Sequence, residues 1–185
     1  HLGWIGTVGE SRNNTYMQTQ NISNSLDAVD LAKRLGCHTF IGAGSQAEYG
    51  RTENILRPDT PTNPENGYGI AKLCAGKLTR LRCSQLNLRH IWIRIFSVYG
   101  PYDGANSLIS SMISKLADGI IPQTTAGEQL WDYLYSGDAG KAFYLAGLYG
   151  KNGTVYCLGS GVSRPLKNYI MTLRDIIAPD MQIEV

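Results

Sequence analysis

The sequence predicts an α/β fold around a mostly parallel sheet, on three observations. Segments with apolar residues at three- and four-residue steps alternate with short runs rich in Ile, Val and Phe. The alternation has a spacing suited to strand–helix–strand crossovers. Glycine is abundant, 21 of 185 residues, as tight turns and close backbone approaches require.

Each element has its own reason. Residues 13–35 read as a helix with Ile22, Leu26, Val29 and Leu35 on one face and Gly36 at the C-cap position. Residues 37–43 read as a short buried strand centred on Thr39-Phe40-Ile41. Residues 44–66 are polar and hold Pro58, Pro61 and Pro64, a long ordered loop of the kind that often carries function. Residues 67–88 read as a helix with Ile70, Leu73, Leu78 and Leu81 inward. Residues 89–96 form an Ile-rich strand, and Tyr99-Gly100-Pro101 turns the chain. Residues 106–117 are amphipathic through Leu108, Ile109, Met112, Ile113 and Leu116, and Gly119 ends that helix. Residues 131–135 predict a short strand. Ser136 or Asp138 can cap a helix running to Leu148. Residues 154–158 predict another strand. Pro165 suits the first turn of a last helix that stops before Pro179.

Residues 181–185 read as the start of a further strand. The other end, His1-Leu2-Gly3-Trp4, lacks Met and opens inside an apolar segment. The expectation is a fragment of a longer protein.

Composition narrows the function classes. Apolar residues are 43%, enough for a core, and charged residues only 17%. The net charge is +2 with no basic stripe, which disfavours nucleic acid as a partner. No apolar run approaches the ~20 residues of a membrane helix, and the start has no signal-peptide pattern. Cys37, Cys74, Cys83 and Cys157 stand singly, with no CxxC or His partner to suggest a metal. They predict buried, reduced thiols in a cytoplasmic protein.

Two glycine patterns mislead. Gly3-Trp4-Ile5-Gly6-Thr7-Val8-Gly9 has no strand before it and a polar stretch behind it. Gly42-Ala43-Gly44-Ser45-Gln46-Ala47 follows a strand, but the chain behind it is polar and Pro-rich. Neither has the helix that a phosphate cradle needs.

The stronger signal is Tyr68-Gly69-Ile70-Ala71-Lys72, a Tyr and a Lys one helical turn apart. A free phenol has a pKa of about 10, and reaching about 7 takes roughly 4 kcal/mol of preference for the phenolate. A close ammonium can provide much of this, making Tyr68 a general base for a substrate hydroxyl. An ordinary helix-surface pair is the competing reading. Ser45, at a strand end 23 residues earlier, can hydrogen-bond the same substrate oxygen. Ligands of open α/β sheets sit beyond the carboxyl ends of strands, where these residues fall.

Several motifs in order resemble the extended short-chain dehydrogenase/reductase superfamily, specifically its NAD-dependent epimerase/dehydratase family acting on nucleotide sugars. His1-Leu2-Gly3 is similar to the family's HLAA-like strand end, with Asn21 in the helix that follows. Ser45-Gln46-Ala47-Glu48-Tyr49-Gly50 resembles its Ser/Thr-x-x-x-Tyr-Gly. Pro61, Pro64 and Tyr68-x-x-x-Lys72 resemble the entry to its active-site helix. Residues 94–101 resemble its R-x-F-N-V-Y-G-P, and residues 131–138 its R-D-F-x-Y-V-x-D.

The resemblance implies part of a Rossmann-like doubly wound parallel sheet plus part of a smaller substrate-binding lobe. Residues 1–103 would be the C-terminal portion of the Rossmann-like domain. Residues 104–185 would be mostly the substrate lobe, cut short, with about 130–150 returning to pack on the Rossmann core. The first half of the cofactor domain would lie upstream, so the piece alone is expected to be inactive. Ser45, Tyr68 and Lys72 are implied as catalytic, and Leu2, Gly3, Tyr68, Lys72, Phe96 and Val98 as cofactor-binding. The implied cofactor is NAD or NADP, with NAD favoured. The implied partners are a nucleotide sugar and a second copy of the chain, joined through helices 13–35 and 67–88.

Departures from the family pattern refine the reading. Family dehydratases carry Asp-Glu directly after the active-site Ser/Thr, where this chain has Gln46 and Ala47. Neither carries protons, which favours epimerisation or simple redox over loss of water. Glu48, one position later, is expected to point elsewhere. Ser97 replaces an Asn that tends to contact the diphosphate, and Trp131 replaces a phosphate-binding Arg. Gln46, Ala47, Ser97, Trp131 and Arg164 are the candidate substrate contacts, Arg164 as a displaced phosphate ligand. Gly42 and Gly44 replace small hydroxyl residues and are read as relaxing the strand end. The leading expectation is a nucleotide-sugar epimerase. A reductase or dehydratase of the same family, or a non-catalytic binding protein of the same fold, remains open.

Overall fold

A computed structural model describes residues 1–53 and 55–183. In chain order it contains a 3-10 helix (Gly9–Asn13), α1 (Thr15–Arg34), β1 (Thr39–Ser45) and a 3-10 turn (Gln46–Glu48). Then follow α2 (Gly67–Gln85), β2 (Arg89–Ile95), β3 (Ser97–Tyr99), α3 (Leu108–Ala117), β4 (Leu130–Trp131) and β5 (Tyr133–Tyr135). The chain ends with α4 (Ser136–Tyr149), β6 (Thr154–Leu158), β7 (Arg164–Pro165) and α5 (Leu166–Ile177). The class is α/β with a parallel sheet, as predicted. Residues 181–183 form no strand. The last two residues of the strand expected over 181–185 lie outside the described residues.

The chain divides into two compact units. One is His1–Phe96 with Gly140–Leu158; the other is Ser97–Ala139 with Gly159–Val185. The first holds a three-stranded sheet in the order β1-β2-β6. All its pairs are parallel, with Ser45 level with Ile95 and Ile95 level with Leu158. His1 runs beside β1, its carbonyl accepting from Ala43 N at 3.1 Å.

Helix ends explain where the strands begin. Gly36 adopts φ +72°, Gly36 N donates to Lys33 O and Cys37 N to Ala32 O. This closing turn occupies Cys37, so β1 starts at Thr39 rather than at 37, and Cys37 is exposed rather than buried. The same pattern ends α2 at Gln85 instead of 88: Asn87 takes φ 54°, and Leu88 N donates to Cys83 O.

Helices α1 and α2 bury faces that differ from the expected ones, although Val29 on α1 is buried as expected. On α1 the buried residues are Gln18, Asn21, Ser25 and Val29, while Leu35 is exposed. The reason is the irregular segment lying against it. Asn21 accepts from Ile5 N and donates to Ile5 O, and Gln18 donates to Gly6 O and Ser11 O. Backbone without a strand partner needs amide side chains to satisfy it. On α2 the buried face is small, with Ala71, Ala75, Gly76, Thr79 and Cys83. Ile70, Leu78 and Leu81 face outward instead. That small face lets the helix lie against Trp92: a Cβ on Gly76 would come within 2.7 Å of the indole. Gly42 and Gly44 also leave room for Trp92, so their role is space rather than strand-end slack. Thr79 fixes the same contact, its hydroxyl 3.1 Å from His90 Nε2.

In the second unit β3 pairs in parallel with β5, and β4 runs antiparallel to β7. The single strand expected over 131–135 is split at Asp132, whose carboxylate accepts from Ser160 N and Gly161 N. Pro165 lies in β7, one residue before α5, rather than inside its first turn. Met112, Leu166 and Ile170 form the core, with Trp131, Tyr133 and Leu173 against it.

Gly76→Ala is expected to cost about 1–3 kcal/mol, because Trp92 has backbone on both sides and cannot yield without distortion. A urea melt of the variant against the parent measures it; an unchanged midpoint would contradict the close approach.

Candidate active site

The site begins where β1 ends. Ser45 Oγ accepts from Ala47 N at 3.1 Å, and Glu48 Oε1 accepts from Ser45 N at 2.9 Å. This reciprocal cap is the Ser-x-x-Glu pattern, legible at Ser45-Gln46-Ala47-Glu48. Glu48 is 1% exposed and points into the interior. There it also accepts from Trp92 Nε1 at 2.9 Å and from Arg94 Nε at 2.7 Å. With the cap using its lone pairs, Ser45 keeps its O–H free to donate.

The start of α2 is pressed onto this turn. Asn66 caps the helix through Gly69 N, and Asn13 Oδ1 accepts from Gly67 N at 3.0 Å. Gly69 lies so close to the Ala47 carbonyl that no side chain fits there. Tyr68 is thereby set beside Ser45, whose hydroxyl favours the ionised phenol. One turn on, Lys72 is 4% exposed, with its ammonium 2.8 Å from Ala43 O.

These groups share a hollow of about 300 Å³. Ser45, Tyr68 and Lys72 form its polar side; Leu2, Ile95 and Phe96 give it apolar walls. Trp4 and Thr7 also line it. Trp4 lies under the Lys72 ammonium, 3.8 Å from ring centroid to nitrogen, and meets Tyr68 edge-on. Arg12 lies over Tyr68, its guanidinium carbon 4.3 Å from the ring centroid. No sequence signal marked Trp4, Thr7 or Arg12, since the segment that carries them has no period.

The other candidates fall as follows. Gly3 lies between two lining residues without itself lining the hollow. Gln46 and Ala47 form the turn directly after Ser45, both half-buried. Ser97 and Val98 are in β3 and belong to the second unit. Trp131 and Arg164 also belong to that unit, paired with each other across β4 and β7.

The electrostatics differ from the simple Tyr–Lys expectation. Burial pushes the Tyr68 phenol up, opposed by the Ser45 hydroxyl and by the Arg12 charge, while Glu48 adds to the rise. Desolvation is the largest influence on the phenol, and it acts against the charged form. Burial also pushes Lys72 down to about 8, against the pull of Glu48.

The donor set fits the nicotinamide–ribose end of a dinucleotide. The ammonium has N–H groups beyond the one given to Ala43 O, Ser45 offers an O–H, and the apolar walls suit a flat ring. Lys72 would hold ribose hydroxyls, with Leu2 and Phe96 against the ring. Among the described residues no group of His, Cys, Asp and Glu could hold a metal ion. No helix among them is long and apolar enough to cross a membrane.

A model of the NAD dependent epimerase/dehydratase family matches residues 1–159. Over 144 residues the chain is 31% identical to the dTDP-4-dehydro-6-deoxyglucose reductase of Escherichia coli, covering 75% of this chain and 45% of that protein. It is 25% identical to a UDP-glucose 4-epimerase of Corynebacterium glutamicum, over 100% of this chain and 62% of that one. The chain thus spans about half the length of the curated relatives it matches. Among solved structures, a UDP-N-acetylglucosamine 4-epimerase from Methanobrevibacter ruminantium, in complex with UDP-N-acetylmuramic acid, superposes with a TM-score of 0.90. It is 25% identical and covers 99% of this chain and 61% of that one. RMD from Pseudomonas aeruginosa, complexed with NADPH, shares the fold at a TM-score of 0.89 and 22% identity, over 100% of this chain and 66% of that one.

Glu48→Gln is expected to destabilise the fold by about 3 kcal/mol, because it leaves the Arg94 charge buried without its counter-charge. Chemical denaturation followed by tryptophan fluorescence checks this; a loss below about 1 kcal/mol would show the pair to be dispensable.

Proposed function

Since the chain belongs to the NAD dependent epimerase/dehydratase family, we propose that the protein carrying it epimerises a nucleotide sugar with bound NAD or NADP. What supports this is the single hollow shared by Ser45, Tyr68 and Lys72. When bound, the cofactor would supply a reversible hydride acceptor. The residues of the chain handle the proton. Tyr68 takes it from the sugar hydroxyl as hydride leaves the same carbon, and gives it back on return. Ser45 donates a hydrogen bond to that oxygen and keeps it in line with the phenol. Lys72 binds the cofactor's ribose and adds positive charge behind the site. Gln46 and Ala47 carry no proton, so loss of water has no acid–base pair to drive it here. Ser97, Trp131 and Arg164 are proposed contacts for the nucleotide end of the substrate.

A second reading has its own support. The Escherichia coli relative, 31% identical, is named a reductase. A reductase of a keto-sugar would use the same three residues in one direction and consume NAD(P)H, whereas an epimerase leaves the cofactor unchanged overall.

The outward apolar residues support the homodimer reading. Leu31 on α1 and Leu35 at its C-cap, with Ile70, Leu78 and Leu81 on α2, are all exposed on two helices that pack against each other. A second copy would cover them. Leu81→Glu is expected to convert a dimer to a monomer in sedimentation velocity; an unchanged sedimentation coefficient would place the contact elsewhere.

Tyr68→Phe in the intact protein is expected to lower turnover of UDP- or dTDP-hexoses by about 10²–10⁴-fold while cofactor binding persists. Turnover within about threefold of the parent would end the proposed mechanism.

A further inference from the structure

A second hollow, of about 120 Å³, lies between α2 and the strands β2 and β6, and no residue lines both it and the hollow of Tyr68. His90, Trp92 and Val155 line it from the sheet, Lys77 and Arg80 from α2. His90 is 2% exposed, and its ring lies nearly parallel to those of Trp92 and Phe40, at 10° and 13°. Thr79 sets its tautomer. That hydroxyl donates to Ala75 O at 2.6 Å, so at 3.1 Å it accepts from His90 Nε2–H. Nδ1 then carries a lone pair, and no group among the described residues donates to it. Burial and the Arg80 charge push His90 down to about 4, so at neutral pH the ring does not take a proton there. Buried acceptors of this kind almost always have a donor in native proteins.

The α2 side supplies charge. Lys77 and Arg80 stand three residues apart, both exposed, and neither pairs with a carboxylate among the described residues. A Cβ on Gly153 would come within 3.3 Å of the Arg80 guanidinium, so the glycine lets that group lie against the start of β6. The carboxylate in the lining, Glu48, is taken up by Ser45 N, Trp92 and Arg94. The hollow thus joins two unpaired cations to one unsatisfied, uncharged acceptor.

We propose that this hollow binds a small oxyanion that carries an O–H group, as free hydrogen phosphate does. The O–H donates to His90 Nδ1, and the other oxygens meet the Lys77 and Arg80 charges. A space of this size has room for several waters or for one such ion. The acceptor sets the selectivity. Both forms of phosphate present at neutral pH carry an O–H. Sulfate has the same shape and no proton, so it would set a lone pair against the lone pair of Nδ1.

The test is nuclear magnetic resonance of the intact protein with its histidine rings labelled with nitrogen-15. His90 is assigned by its through-space contacts to Trp92 and by the loss of its signals in His90→Asn. The ring nitrogens first report the tautomer, expected as Nε2–H; a proton on Nδ1 would overturn the proposal. Inorganic phosphate is then added at constant ionic strength, and the Nδ1 signal should move upfield and saturate, as it does when a ring nitrogen accepts a hydrogen bond. Sulfate over the same range should leave it in place. An equal response to sulfate would remove the role given to the O–H and overturn the assignment. No saturable response to phosphate would overturn it too, and would leave water as the partner of Nδ1. Arg80→Gln changes an exposed side chain outside the core, and it should weaken the phosphate response about tenfold. An unchanged midpoint in that variant would place the ion elsewhere and defeat the proposal. None of these measurements reads turnover, so they stand or fall apart from the role proposed for Tyr68.

Discussion

A buried carboxylate organises the catalytic end of the first unit. Glu48 receives Ser45 N, the Trp92 indole and the Arg94 guanidinium, and almost none of it reaches water. An unpaired charge there would cost several kcal/mol, so the carboxylate is tolerable only with all three donors in place. Those donors come from β1 and β2, and the carboxylate belongs to the turn after β1. One side chain therefore ties the level of two strands to the direction in which the chain leaves the sheet. Arg94 completes the unit by stacking on Tyr49, 4.4 Å from the ring centroid. Ser45 is held as the cap of this turn, and α2 is pressed onto the turn at Gly69. The orientation of Ser45 toward Tyr68 thus follows from a charge that takes no part in the proposed chemistry.

The helices follow a second constraint, close approach. Trp92 fills the space between the sheet and α2, and glycines at 42, 44 and 76 make room for it. A helix that presents small residues to the sheet has to present its large ones elsewhere. Leucines on the outer side of α2 and toward the end of α1 are the consequence, and they are the surface proposed above for a second copy. On α1 the demand is different but the result is alike. Amide side chains turn inward to satisfy the irregular segment at residues 4–6, and apolar ones are displaced to the flanks.

These two constraints mark what could be read in advance. The period of apolar residues locates α1, α2 and α3, while a cap at Ser136 or Asp138 and the prolines at 165 and 179 mark α4 and α5. The period does not say which stripe is buried when the partner is an indole or an irregular backbone. Gly36 was legible as a helix end because glycine commonly takes the left-handed conformation there. Asn87, which does the same, stood unmarked among ordinary residues. The grouping of Ser45, Tyr68 and Lys72 was legible from a four-residue helical step and the end of a strand. The cap at Ser45 is written in the sequence as Ser-x-x-Glu. The electrostatic part was not legible, because a pKa depends on burial, and the spacing of Tyr68 and Lys72 carries no information about solvent. Trp4 and Arg12 come from a stretch with no period to place them.

The residues that line the hollow bear on the proposed chemistry. Within the first unit, the titratable side chains lining it are Tyr68 and Lys72. Loss of water from a sugar requires one group to remove a carbon-bound proton and another to protonate the leaving oxygen, besides the group that handles the alcohol. Glu48 is the nearest carboxylate in sequence, and it is committed to Arg94 and Trp92. Lys72 is held by Ala43 and Trp4. Under the proposed reading, Tyr68, Ser45 and Lys72 act as proton acceptor, hydroxyl donor and cation, the groups needed to exchange one proton and one hydride at a carbinol carbon. Under the proposed reading, the choice between epimerase and reductase lies in whether the keto-sugar can turn over before hydride returns. That depends on how the sugar is held, and not on the acid–base residues of this hollow.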